Sequence, residues 1–164
     1  MSVGFYAGSF DPFTNGHLQV VKKACEIFDY VVIGIGTNPS KPRRFDKEKM
    51  RKAIYEVLKQ EGLYEKTEVY IYSNTMTVDA AAFYKASYLI RGIRNGVDYQ
   101  YEENIASMNQ EISGLDTIYF RSGELGNVSS SMVMELLRND YDVSKYLPKP
   151  IYDLVIEESK NKDN

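Results

Sequence analysis

The sequence predicts an α/β fold, a five-stranded parallel sheet with helices on both faces. Three observations carry that expectation. Short apolar runs alternate with segments whose apolar residues recur every three or four positions. The strand-like runs are short and continuously apolar, as in strands buried on both faces. Polar and charged residues gather just after these runs. Alternating strands and helices favour right-handed βαβ units. The ligand crevice of such a sheet lies beyond the carboxyl ends of its strands.

Taken in order, Val3–Ala7 reads as a buried strand ending at Gly8. Residues 16–28 space Leu18, Val21, Cys25 and Phe28 as a helix does. Tyr30–Gly36 is a second strand, followed by a loop with Pro39 and Pro42. Asp46 is placed to cap a helix reaching about Gln60. Glu68–Tyr72 is a strand, Val78–Ala86 a helix, Tyr88–Ile90 a strand and Asp98–Ile112 a long helix. Thr117–Phe120 is the fifth strand. Ser129 or Ser130 caps a helix through Arg138, and Pro148 precedes a last helix over Ile151–Ser159.

The 164 residues fit one domain, 1–164, with a frayed polar tail over about 160–164. A net charge of −3 argues against a broad nucleic-acid surface. No run approaches the length of a membrane span. Cys25 is the sole cysteine and His17 the sole histidine, so neither an intramolecular disulfide nor a Cys/His zinc cluster can form. Residues 1–6 carry no basic n-region, and a reducing cytoplasm is the expected compartment.

Four segments after strands carry candidate chemistry. Gly8-Ser9-Phe10-Asp11-Pro12-Phe13-Thr14-Asn15-Gly16-His17 follows the first strand. Gly8 lets a ligand approach the backbone. Asn15 is placed to cap the helix that Gly16 and His17 begin, and such a helix start favours phosphate. His17 alone reads as readily as a capping residue. After the second strand, Lys41, Arg43 and Arg44 form a short basic loop that suits a phosphate or a solvated turn. Gly34-Ile35-Gly36 lacks the third glycine of a dinucleotide fingerprint, and no P-loop occurs. Arg91 and Arg94 end the fourth strand, where guanidinium groups suit bidentate phosphate recognition or an ion pair with Asp98 or Glu102. Ser129, Ser130 and Ser131 open a helix as an N-cap or an anion site.

The first segment resembles the signature of the adenylyltransferase and cytidylyltransferase superfamily, a Gly-Thr/Ser-Phe-Asp-Pro turn followed by a Thr/His-x-Gly-His motif. Three further stretches are similar to phosphopantetheine adenylyltransferases within it. They are Pro39-Ser40-Lys41, the run Ile90-Arg91-Gly92-Ile93-Arg94 with Asp98-Tyr99-Gln100-Tyr101-Glu102, and Met108-Asn109. Val128-Ser129-Ser130-Ser131 matches the superfamily's serine motif. The resemblance runs from Phe5 to about Leu154 and departs at Leu125-Gly126-Asn127, where the family has an aromatic residue, Ser and Phe. Ser9 replaces the commoner Thr, and Met76-Thr77 stands where aliphatic residues are usual.

That resemblance implies a Rossmann-like fold and transfer of the adenylyl group of ATP to 4′-phosphopantetheine, giving dephospho-coenzyme A. It implies catalytic roles for His17, Lys41 and Arg91. It places Ser9, Phe10, His17, Gly92, Ile93, Arg94, Glu102, Val128 and Ser129 to Ser131 on ATP. It places Ser9, Lys41, Thr77, Arg91 and Asn109 on the phosphopantetheine. Mg²⁺ would arrive with ATP, with no protein metal ligand named. A homohexamer and feedback by coenzyme A follow from the family alone. Two alternatives stand beside it: another phosphorylated acceptor, or a nucleotide-binding sensor without catalysis.

Overall fold

The computed structural model describes residues 1–123 and 128–162. Five parallel strands form one sheet in the order β3-β2-β1-β4-β5. They are β1 (Val3–Gly8), β2 (Tyr30–Thr37), β3 (Thr67–Ser73), β4 (Tyr88–Ile93) and β5 (Thr117–Arg121). Among the described residues, α-helices alternate with and follow them: α1 (Asn15–Ile27), α2 (Lys47–Gln60), α3 (Thr77–Phe83), α4 (Gly96–Ser113), α5 (Ser130–Arg138) and α6 (Lys149–Lys162).

The chain runs outward from β1 to β2 and β3, then crosses back to β4 beside β1. Crossovers of one hand in opposite directions put their helices on opposite faces. One face buries Leu18, Val21 and Ala24 of α1 with Met50, Ile54 and Leu58 of α2 and Ile151 and Val155 of α6, over Ile33 and Ile90. The other buries Val78 and Ala81 of α3 over Phe5, Val32 and Leu89. Both faces of the strands are covered, which is why they read as continuous apolar runs. Close approach between layers needs small residues: a Cβ on Gly34 would stand 2.4 Å from the Phe5 ring.

Several boundaries differ from the sequence expectation for local reasons. β4 continues past Ile90 because Arg91, Gly92 and Ile93 pair with Tyr119, Phe120 and Arg121 of β5. Asp46 caps α2 as predicted, accepting from the Glu48 and Lys49 amides. Of the two serines, Ser129 is the cap of α5. α3 ends at Phe83, three residues early, where Lys85 takes φ 54° and the Ala86 amide bonds the Ala81 carbonyl. α6 extends to Lys162, so residues 160–162 of the expected tail are helical.

Strand order reverses between β1 and β4, the switch point of an open α/β sheet. The carboxyl ends of these two neighbours therefore frame the crevice.

Candidate active site

A cavity of about 760 Å³ opens at this switch point. Its walls are the loop after β1, the first turn of α1, the loop after β2, the end of β4, the start of α4 and the start of α5.

Asp11 organises the loop after β1. The residue is 8% exposed. Its carboxylate accepts from the amides of Arg44 at 2.8 Å and Phe45 at 3.0 Å, and it lies 3.6 Å from the Arg43 guanidinium. Arg43 also donates to the carbonyls of Ser9, Phe10 and Phe45. Arg44 donates to the Asp11 carbonyl at 2.7 Å and to the Ser131 hydroxyl at 2.9 Å. The basic loop is thus strapped across the β1 loop and tied to the start of α5. Phe10 holds φ 47°, a left-handed conformation that costs a side-chain-bearing residue energy. Its ring is buried edge-on to Tyr6 and His17, at 5.1 Å and 5.0 Å between centroids.

His17 is held by its own helix start. Thr14, and not Asn15, is the N-cap: its hydroxyl accepts from the His17 amide, and the Thr14 amide donates back to His17 Nδ1 at 2.9 Å. This is a capping box with an imidazole in the usual Glu/Gln place. Asn15 is the first helical residue, and its side chain instead donates to the Lys145 carbonyl. Burial, then the cationic Arg91 and Arg94, push the His17 pKa down to about 3. The ring is therefore neutral near pH 7. With Nδ1 accepting, its proton sits on Nε2, and the ring offers one donor on the side away from Thr14.

The two arginines of the fourth-strand segment are paired. Arg91 grips Glu102 with two 2.7 Å bonds from Nε and Nη2 and also donates to the Ala7 carbonyl. Arg94 grips Asp98, and that bond holds the Asp98 carboxyl below its ordinary range. Both pairs line the cavity. The ion-pair and ligand readings are therefore compatible: the carboxylates preset the forks, and each guanidinium keeps further N–H donors. At the start of α5, the Ser129 hydroxyl caps the Met132 amide, Ser130 donates to the Pro12 carbonyl and Ser131 accepts from Arg44. The hydroxyls are thus tied into the scaffold. Main-chain N–H groups at a helix start cannot bond within the helix, and they remain the natural anion donors.

The structure brings Ser9, Phe10, His17, Lys41, Arg91, Gly92, Arg94, Glu102, Val128, Ser129, Ser130 and Ser131 to one cavity. Three expected site residues lie off its wall. Thr77 opens α3 and hydrogen-bonds the Tyr72 hydroxyl at 2.9 Å. Ile93 ends β4, where its carbonyl accepts from Ser122. Asn109 lies two turns beyond Glu102 on α4. Leu125, Gly126 and Asn127 lie outside the described residues. Sequence reasoning missed Asp11, Arg43 and Arg44 as the frame of the site, because their partners are 33 or more positions away or are main-chain carbonyls. Among the described residues, no three His, Cys, Asp or Glu side chains gather as a metal site. No helix is long and apolar enough to cross a membrane among the same residues.

A family model described as cytidylyltransferase-like matches residues 5–136. The phosphopantetheine adenylyltransferase of Phocaeicola vulgatus is 41% identical over 150 residues, covering 91% of this chain and 97% of that one. That of Streptococcus suis is 41% identical over 149 residues, 90% of each chain. Among solved structures, a Francisella tularensis bifunctional NMN adenylyltransferase/ADP ribose pyrophosphatase complexed with AMP and a manganese ion aligns with a TM-score of 0.68 at 16% identity. The match covers 97% of this chain and 53% of that one. Thermotoga maritima TmcAL bound with alpha-thio ATP aligns with a TM-score of 0.63 at 15% identity, covering 98% and 56%. These structural likenesses show the fold alone, a Rossmann-like parallel sheet flanked by helices. The relatives show the family: the chain belongs to the phosphopantetheine adenylyltransferases, within the cytidylyltransferase-like group.

Proposed function

We propose that this chain transfers the adenylyl group of ATP to 4′-phosphopantetheine, forming dephospho-coenzyme A and pyrophosphate in coenzyme A biosynthesis. The observation that carries the reading is a neutral His17 donor and the cations Lys41, Arg91 and Arg94 around one cavity at the switch point. The named relatives support the acceptor.

An oxygen of the acceptor phosphate attacks the α-phosphorus of ATP. A new P–O bond forms as the bond to the bridging β-phosphate oxygen breaks, and pyrophosphate leaves with that electron pair. No side-chain nucleophile is needed: Cys25 is buried on the core face of α1, and burial pushes its thiol pKa up. Catalysis is positioning and charge stabilisation. His17 Nε2–H is assigned to the α-phosphate. Ser9, Lys41 and Arg91 hold the acceptor phosphate. Arg94 and the α5 start hold the β- and γ-phosphates. Glu102 and Asp98 keep the two arginine forks oriented. Mg²⁺ carried by the ATP phosphates would supply charge neutralisation there, held through the substrate rather than by a protein cage. The test is acceptor-dependent release of pyrophosphate from ATP, with nicotinamide mononucleotide and glycerol 3-phosphate as competing acceptors.

The same reading takes residues 1–164 as one domain working in the cytoplasm as a homo-oligomer. An apolar stripe on α4 supports assembly: Tyr101, Ile105, Met108 and Ile112 repeat at helical spacing, and all are exposed in the single chain. A second copy covering this stripe would account for it, and a hexamer is the form the family suggests. Thr77 and Asn109 are retained as pantetheine contacts beyond the cavity wall.

A further inference from the structure

Tyr6 has no part in the chemistry as read so far, and it lines the cavity. It lies on β1, whose residues alternate between the two faces. Its side chain sits with Val20 and Ile90 on the α1 face. The residue is only 4% exposed. No fully buried side-chain nitrogen or oxygen among the described residues lacks a hydrogen-bond partner. The Tyr6 hydroxyl makes no hydrogen bond among the described residues, yet Tyr6 lines the cavity, so the hydroxyl is the part that reaches the open space. At that opening its O–H is free to donate to a bound ligand.

The ring cannot swing away. It packs edge-on to Phe10 at 5.1 Å and against His17 at 6.4 Å between centroids. Across from it, Gly92 has no side chain, and a Cβ there would stand 3.7 Å from the Tyr6 oxygen and 2.9 Å from Val20. The empty position at Gly92 keeps the space beside the hydroxyl open. Burial pushes the phenol pKa up, so the group stays protonated and offers a hydrogen to an anion. It shares the α1 side with His17, whereas Arg91 turns to the α4 side, toward Glu102.

We propose that the Tyr6 hydroxyl is a further ligand of the nucleotide, donating a hydrogen bond to an α-phosphate oxygen beside His17. The inference rests on the adenylyl-transfer reading for the place of that phosphate, and it concerns the nucleotide alone. AMP and adenosine are titrated calorimetrically into the wild type and into Tyr6→Phe, with thermal unfolding as the folding control. A hydrogen bond to a charged group predicts about a tenfold loss of AMP affinity in Tyr6→Phe. Adenosine, which lacks the phosphate, is predicted to change less than about twofold. Tyr6→Leu is the second variant if the first misfolds, with the same expected pattern. Unchanged AMP affinity overturns the proposal, and so do equal losses for AMP and adenosine, which assign the hydroxyl to the ribose or to packing. A wild type that binds AMP through Tyr6 but never releases pyrophosphate leaves this inference standing and sinks the transferase reading.

Discussion

The main-chain amide of Thr14 donates to His17 Nδ1 at 2.9 Å, and this bond selects which imidazole nitrogen the cavity meets. It consumes the only acceptor of the neutral ring and leaves Nε2–H as the donor. The helix cap and the choice of imidazole tautomer are thus one interaction. His17→Ala removes the donor and half of the capping box. Turnover is expected to fall about a hundredfold, as when one oxyanion donor is lost, with an unchanged circular dichroism spectrum. Near-normal turnover would remove His17 from the chemistry.

The His17 pKa has a consequence for stability. It is lowered in the fold to about 3, against an ordinary value of 6.5. The unfolded chain therefore binds the extra proton first as pH falls. The stabilisation is complete above about pH 6.5 and drains away as pH drops toward 3. In ligand-free protein, the loss between pH 6.5 and 5 is expected to be about 1–2 kcal/mol from this group. Urea midpoints across that range measure it, and His17→Gln, which does not titrate, is expected to flatten the decline. Equal slopes for both proteins would contradict a His17 ring held neutral by the fold.

Asp11→Ala tests the strap. The substitution removes the carboxylate that accepts from the amides of Arg44 and Phe45 and stands beside Arg43. Loss of hydrogen bonds to a charged, mostly buried carboxylate predicts a loss of about 2–3 kcal/mol by chemical denaturation. Lys41 sits in the loop that this clamp holds, so the KM for the acceptor is expected to rise as well.

The α4 stripe predicts self-association. Met108 is 58% exposed and Ile112 54% exposed on the same line of the helix. Met108→Lys places a charge in the face that a second copy would cover, and it is expected to shift the sedimenting species to smaller mass at equal concentration. A wild type that sediments as a monomer would leave the stripe without this role.

Much of this was legible in the sequence, and the failures have physical causes. The buried strands were readable because both of their faces are covered. The Thr14 cap was missed by one position because Thr and Asn are both good caps, and a histidine in the third helical position is not the usual box signal. β4 was read too short because Arg91 and Gly92 look like loop residues, and only pairing with β5 makes them strand. Most of the motif residues, though not Thr77, Ile93 or Asn109, converge on the cavity because the switch point gathers the strand ends. Arg43 and Arg44 could not be read, since guanidinium bonds to distant carbonyls leave no pattern in sequence. Tyr6 was hidden inside an apolar run, where a tyrosine counts only as core.

The most direct test of the account mixes the protein with ATP, Mg²⁺ and 4′-phosphopantetheine and follows pyrophosphate release, beside tubes holding nicotinamide mononucleotide, glycerol 3-phosphate with CTP, or no acceptor. The account predicts release with phosphopantetheine alone and about a hundredfold less from His17→Ala. Release with a different acceptor would contradict the assignment of Lys41 and Arg91 to the phosphopantetheine phosphate. Silence in every tube from protein that still binds ATP would contradict catalysis itself.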